Sequence, residues 1–162
     1  MRKYLAVSTF TLAATLAWAG PASALAPSGG PAGRATVAVS PRPVVPPTVA
    51  QRGSIERLYL AYFLRDGEPA GVAYWSAAYA SGRPLIAISN VFAQSSEFKN
   101  RYGELETDDF VVLAYANVFD REPDAAGLAY WTAQLNSGRR SRGGFMVGLS
   151  ESAEFKRITA IP

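Results

Sequence analysis

The feature that most constrains the fold of this chain is an internal repeat. Tyr74-Trp75 recurs as Tyr130-Trp131, and the same shift of 56 positions superposes further residues in a fixed order. The matched pairs are Tyr59 and Tyr115, Phe63 and Phe119, Arg65 and Arg121, Gly71 and Gly127, and Ser81-Gly82-Arg83 and Ser137-Gly138-Arg139. One copy is too short to bury enough surface alone. We therefore predict that the two copies, residues 54–103 and 108–160, share one core.

Apolar residues recur at helical spacing in both copies. Ser54 is the predicted N-cap of the first helix, and Thr107 or Asp108 that of its counterpart. Glycine is expected to end the second helix of each copy, and serine to begin the fourth; these residues are Gly82, Gly138, Ser95 and Ser152. No segment alternates as a strand does. The prediction is an all-α fold, a compact bundle of about eight short helices.

The first fifty residues have a different composition. Arg2 and Lys3 precede an apolar run, and Ala22-Ser23-Ala24 has the pattern of a cleavage site, so residues 1–24 are predicted to be a secretory signal peptide. The apolar run is shorter than the roughly 20 residues that span a bilayer, so we expect cleavage rather than stable membrane insertion. Residues 25–53 are rich in Pro, Gly and Ala and are predicted to be a disordered linker, with a proline-rich recognition site as the alternative.

The composition excludes several kinds of chemistry. Cysteine and histidine are both absent, which rules out disulfides, thiolate or imidazole metal ligands, and Ser-His-Asp or Cys-His catalysis. The chain has a formal charge of +3, but residues 54–162 hold 11 basic and 13 acidic residues, a net charge of −2. A nucleic-acid partner is therefore not expected.

The second copy carries a motif that resembles a known bacterial family. Its residues are Tyr115, Phe119, Arg121, Pro123-Asp124, Gly127-Leu128 and Tyr130-Trp131, followed by Ser137-Gly138 and Ser152-x-Glu154-Phe155. This pattern is similar to the domain of unknown function 4214 family, with the likeness extending over residues 54–160. The resemblance implies an α-helical module, often in tandem, in exported and surface-associated proteins. It implies no activity. The first copy departs from the pattern at Gly67-Glu68, and the second has Asp120 where the family usually has glycine.

Tyr74 and Tyr130 are candidate ligand contacts, because aromatic rings stack on sugars and anchor protein interfaces. The neighbouring Trp75 and Trp131 lie on the apolar stripe and are predicted to pack in the core. Since each tyrosine lies roughly 100° around the helix from its tryptophan, we expect it at the edge of the core.

Arg65 and Arg121 recur beside acidic turns and are two further candidate contacts, together with Asp124. Guanidinium groups suit bidentate binding of a ligand carboxylate or phosphate. The alternative is that each arginine holds its own turn together through helix-end carbonyls or local acids. Asp120-x-Glu122-x-Asp124 has the beginning of a calcium loop, but Ala125 and Trp131 stand where such a loop needs glycine and glutamate. No metal or other cofactor is predicted.

A hydrolase would need a pair of carboxylates, and nothing in the sequence selects a pair. The acids available in turns or at helix starts are Asp66, Glu68, Asp108, Asp109, Asp120, Glu122 and Asp124. The leading hypothesis is a non-catalytic interaction module, secreted or associated with the cell envelope, whose partner is an envelope glycan or an extracellular protein. The alternatives are a small carboxylate-dependent hydrolase of wall polysaccharide and a self-associating structural surface protein.

Overall fold

The structure is a computed structural model that describes residues 45–162, and within this range every regular element is an α-helix. The eight helices are α1 (Val49–Phe63), α2 (Pro69–Ala80), α3 (Leu85–Ala93), α4 (Ser96–Tyr102), α5 (Thr107–Phe119), α6 (Ala125–Asn136), α7 (Arg142–Ser150) and α8 (Ala153–Thr159). The predicted all-α fold and the number of helices are confirmed. The predicted signal peptide, and the linker as far as residue 44, lie outside the described residues.

The first helix begins earlier than the sequence pattern indicated. Its N-cap is Thr48, whose hydroxyl accepts from the Gln51 amide while the Gln51 side chain accepts from the Thr48 amide. This reciprocal capping box follows Pro46-Pro47 and starts the helix before residues 49–53, which composition had placed in the linker. Ser54 is therefore not the cap. It is buried within α1, and its hydroxyl donates to the Ala50 carbonyl.

The other predicted helix ends are mostly correct. Ser95 and Ser152 cap α4 and α8, each accepting from the amide of the phenylalanine three residues later. Gly82 and Gly138 follow α2 and α6 with φ of +95° and +71°, the left-handed conformation that glycine adopts without steric cost. The start of α5 was wrong by one or two residues. Its N-cap is Glu106, so Asp108 lies inside the first turn, where its charge favours the helix N-terminus.

The core lies where the first, third, fifth and seventh helices meet. α3 packs along α7, and α1 contacts both α5 and α7. The α3–α7 crossing is close because Gly143 has no side chain: a Cβ there would lie 2.5 Å from the Asn90 main-chain nitrogen. α2 and α6 lie outside this group, α2 against α1 and α3, and α6 against α5.

Tyr62 is fully buried at the centre of the core. Its hydroxyl donates to the Ser89 carbonyl at 3.0 Å and also lies 2.9 Å from the Ser89 hydroxyl. Its ring contacts the edges of Phe92 and Phe98, so it joins α1 to α3 and α4. Burial raises the pKa of the Tyr62 phenol far above its usual value, because the phenolate would lose its hydration there. None of the helices within residues 45–162 is long and apolar enough to cross a membrane.

Candidate functional site

Arg65, the first candidate contact, lies just after the left-handed residue that ends α1. Its Nε and Nη2 donate to the two carboxylate oxygens of Glu97, both at 2.8 Å. Its Nη1 donates to the Asp66 carbonyl and lies 2.8 Å from Glu68 Oε1. The hydrogen bonds to Glu97 raise the pKa of Arg65. All three guanidinium nitrogens are thus bound within the protein, which favours the interpretation that Arg65 holds its own turn together.

The same guanidinium lies against two rings of α1. It is 5.4 Å from the ring centroid of Tyr59 and 5.6 Å from that of Phe63, within cation–π range. Burial raises the pKa of the Tyr59 phenol, and the negative charge of Glu68 raises it further. The cluster of arginine, rings and glutamates therefore joins α1 to the start of α2 and to α4.

Arg121 occupies the equivalent place in the second half but is held more loosely. Its guanidinium lies over Tyr115 and Phe119, at 5.6 and 5.1 Å from the ring centroids. Its ion pair with Glu154 is a single contact of 3.5 Å, where Arg65 makes a bidentate one. Half of the Arg121 side chain, 52%, stays exposed.

Asp124 is in the same turn as Arg121 but forms no ion pair with it among the described residues. Its carboxylate caps α6, because Oδ1 accepts from the Gly127 amide at 2.6 Å. The carboxylate therefore has a structural partner already. The part of the chain that the structure describes contains no group of three acidic residues placed to hold a metal ion.

Tyr74 and Tyr130 are the two most similar of the candidate contacts. Each is 56% exposed, and neither hydroxyl has a hydrogen-bond partner among residues 45–162. Each ring meets the tryptophan that follows it in an edge-on arrangement, with centroids 4.9 Å apart for Tyr74–Trp75 and 5.0 Å for Tyr130–Trp131. The expected position at the edge of the core is what the structure has.

The tryptophans behind these tyrosines are half-buried. Trp75 contacts Phe92 of α3, and Trp131 contacts Phe145 of α7, with centroid distances of 5.6 and 5.0 Å. The indole nitrogen of Trp131 also donates to the Tyr115 hydroxyl at 3.2 Å. Both tryptophans pack against the core, so each exposed tyrosine ring contacts a side chain that is itself held in place by the core. We call Tyr74–Trp75 and Tyr130–Trp131 the two aromatic faces.

Sequence reasoning missed a buried arginine. Arg57 of α1 is 1% exposed and binds both carboxylate oxygens of Glu151 through Nη2, at 2.8 and 2.9 Å. Its Nη1 donates to the main-chain oxygens of Ile161 and Pro162, at 3.0 and 2.8 Å. Arg57 lies three residues after Ser54 and four before Ala61, so the three residues share the buried face of α1. This helical spacing was the signal available in the sequence.

The structure also forms a cleft between the two halves. It has a volume of about 380 Å³ and lies between the end of α3, α4, the link before α5 and the start of α7. Its lining includes Asn90, Gln94, Phe98, Lys99 and Arg142. None of the five candidate contacts from the sequence borders it.

Comparison with curated proteins and with solved structures gives no significant match. One family model, described as Domain of unknown function (DUF4214), matches residues 89–159, from the middle of α3 to the end of α8. The match leaves out α1 and α2, so the presence of two tandem copies of the family stays a prediction. Residues 89–159 thus match the model of the DUF4214 family, which is the family that the Tyr130-Trp131 motif predicted.

Proposed function

We propose that this protein is a non-catalytic interaction module of the cell envelope or the extracellular space, and that it binds a glycan through its two aromatic faces. The observation that carries the proposal is the matched exposure of Tyr74 and Tyr130 at equivalent positions of the two halves. A tyrosine ring offers an apolar face to the C–H groups of a sugar, and its hydroxyl offers a hydrogen bond. Two such faces on one domain suit a polymer with repeated sugar units.

The support beneath each face adds to this proposal. A ring that is held in place loses little conformational freedom when it binds, so more of the contact energy appears as affinity. Trp75 and Trp131 provide that support through their contacts with Phe92 and Phe145. An extracellular protein partner would use the same faces, because aromatic residues are also frequent anchors of protein interfaces.

The acids near the two turns favour binding over hydrolysis. Glu68 and Glu97 are bound by Arg65, and Asp124 caps α6. A catalytic carboxylate must contact the reacting atoms of the substrate, whereas these three carboxylates already contact partners within the protein. Among these acids, the geometry therefore favours structural roles.

The test is co-sedimentation of the full chain with isolated bacterial cell walls, scoring both the pelleted fraction and the soluble sugar released. The variant is Tyr74→Ala together with Tyr130→Ala. Each truncation should weaken binding about fivefold, the effect of losing roughly 1 kcal/mol at an exposed aromatic contact. Ile158→Ala is the matched control, because Ile158 is an apolar side chain of similar exposure (58%) on α8.

The outcomes separate the alternatives. Loss of pelleting in the tyrosine double variant, with the control unchanged and native helicity retained, supports glycan binding by the aromatic faces. Equal pelleting of both variants refutes it. Release of soluble sugar by the unmutated chain favours the hydrolase, and absence of pelleting with concentration-dependent sedimentation of the protein alone favours self-association.

A further inference from the structure

The cleft between the two halves has the volume of a small-ligand site. Its volume of about 380 Å³ falls within the range of roughly 300–1,000 Å³ that ligand pockets occupy. The third and fourth helices of the first half form one side of it, and Ser141 and Arg142, at the start of α7, form the other. The cleft is distinct from the aromatic faces, whose residues do not line it.

Three acceptor atoms around the cleft are already used by the protein. Asn90 Oδ1 accepts from the Gly143 amide at 3.0 Å, and Ser141 Oγ accepts from the Gly144 amide at 3.0 Å. The Leu105 carbonyl accepts from Arg142 Nη2 at 2.6 Å. The same side chains still have hydrogen-bond donors for a ligand. These are the Asn90 side-chain NH₂, the Ser141 hydroxyl hydrogen and the remaining N–H groups of Arg142.

The charge of the cleft also favours a ligand with an anionic group. Two basic residues, Lys99 and Arg142, line the cleft. Glu104 is the acidic residue of the lining. Its side chain is 87% exposed and lies 3.4 Å from Lys99, a surface pair that competes weakly with a bound anion. With two basic residues and one acidic residue the lining has a net charge of +1, whereas residues 54–162 together have a net charge of −2.

The remaining lining is apolar. Ala93, Phe98 and Leu105 contribute it, and Phe98 is buried beneath the surface of the cleft. A ligand that fits this lining combines an acceptor-rich anionic group with a compact apolar face. A pyranose ring with a carboxylate has both features: the carboxylate accepts several hydrogen bonds, and the C–H groups of the ring cover apolar side chains.

We propose that the cleft is a binding site for a carboxylated saccharide, a uronic acid unit of a polysaccharide. The carboxylate lies against Lys99 and Arg142, and the amides of Asn90 and Gln94 donate to ring hydroxyls or to the carboxylate. The site does not depend on the aromatic faces, so the acidic sugar binds whether or not Tyr74 and Tyr130 contact a glycan.

The experiment is isothermal titration calorimetry of the full chain at low ionic strength with a trimer of galacturonic acid. The fully methyl-esterified trimer is the neutral comparison, because it keeps the ring and removes the negative charge. Lys99→Gln should weaken binding of the acid about fivefold, as expected for one half-exposed cation. Gln94→Trp should abolish binding by filling the cleft without changing any charge. Arg157→Gln is the matched control, since Arg157 is an exposed cation of α8 outside the cleft.

The proposal is supported if the chain binds the acid but not the ester, and if Lys99→Gln weakens this binding, Gln94→Trp abolishes it and Arg157→Gln leaves it unchanged. Equal binding of acid and ester overturns it, as does an equal effect of Arg157→Gln, which indicates non-specific charge attraction. Absence of heat up to about 10 mM acid also overturns it. The proposal is also overturned if the Tyr74→Ala, Tyr130→Ala double variant no longer binds the acid while Lys99→Gln still binds it normally. That result would assign the sugar to the aromatic faces.

Discussion

Replacing Arg57 with alanine is expected to cause a large loss of stability. The guanidinium is buried in α1 and holds three separate parts of the domain: Glu151 after α7, the main chain at Ile161 and Pro162, and Ser54 within its own helix. Gly53 allows this approach, because a Cβ there would overlap the Pro162 main-chain oxygen. Removing the arginine leaves the Ile161 and Pro162 oxygens without this donor and takes away one of the two cations that pair with Glu151.

The expected cost is about 3 kcal/mol of unfolding free energy. Breaking a buried ion pair typically costs roughly 3–5 kcal/mol, because the remaining charge stays buried without compensation. The lower end applies here, since the Glu151 side chain is 23% exposed and keeps Lys156 Nζ at 2.9 Å as a partner. For a domain of this size, that loss corresponds to a fall in Tm of roughly 10 °C.

The assay is urea unfolding followed by circular dichroism at 222 nm, with thermal melts as a second measurement. Arg57→Lys should recover part of the loss, because a lysine keeps the charge but cannot reach Glu151 and two main-chain oxygens together. Arg157→Ala, the exposed control, should change stability by less than about 0.5 kcal/mol. A cost of under about 1 kcal/mol for Arg57→Ala would refute the assignment of this network as a major stabilising contact.

Two further predictions concern buried hydroxyl groups. The hydroxyls of Ser76 and Thr132, at equivalent positions after the two tryptophans, are buried and have no hydrogen-bond partner within residues 45–162. Ser76→Ala and Thr132→Val should therefore each stabilise the domain by about 1 kcal/mol in urea unfolding, whereas the control Ser89→Ala, which removes a hydroxyl bound to Tyr62, should destabilise it. The raised pKa of Tyr62 makes the free energy of unfolding fall at high pH. The contribution of Tyr62 to stability is fully present below about pH 10, the pKa of an unfolded tyrosine. Above that pH it is lost by up to about 1.4 kcal/mol per pH unit, because the unfolded chain releases a proton that the folded chain keeps. Urea midpoints from pH 8 to about pH 12 should fall less steeply in Tyr62→Phe, and equal slopes would show that Tyr62 does not cause the loss.

Local sequence patterns predicted much of this fold. The apolar stripe around Leu58 and Tyr59 identified α1, and single residues such as Gly138 and Ser152 marked helix ends, because the backbone conformation at a cap depends on few neighbours. The positions of Tyr74 and Tyr130 at the edge of the core followed from the turn angle of a helix. These are short-range properties, which explains why they can be read from the chain.

The errors arose where a local signal competed with composition. The proline-rich tract was extended to residue 53, although Thr48 and Gln51 have the spacing of a capping box. The prolines end at Pro47, and the residues after it are compatible with a helix. The capping pair, and not the average composition, decides where α1 begins.

The long-range contacts could not be derived from the repeat. A buried arginine such as Arg57 is stable only because Glu151 and the Ile161 carbonyl, far along the chain, come to meet it. In the same way, the cleft exists because Gly143 lets α7 approach Asn90 of α3. Both depend on how the two halves pack together, which periodicity within either half does not specify.

The two halves of the repeat are therefore not two independent folding units. α3 of the first half packs along α7 of the second, and Arg57 of α1 holds the turn between α7 and α8. The family match also crosses the boundary between the halves. It begins at residue 89, inside α3 of the first half, rather than at the link before α5. A cut at that link would separate Asn90 from Gly143 and leave Glu151 without its arginine. Since the link residue Leu105 and residues of both halves line the cleft, any ligand bound there stabilises the association of the two halves as well.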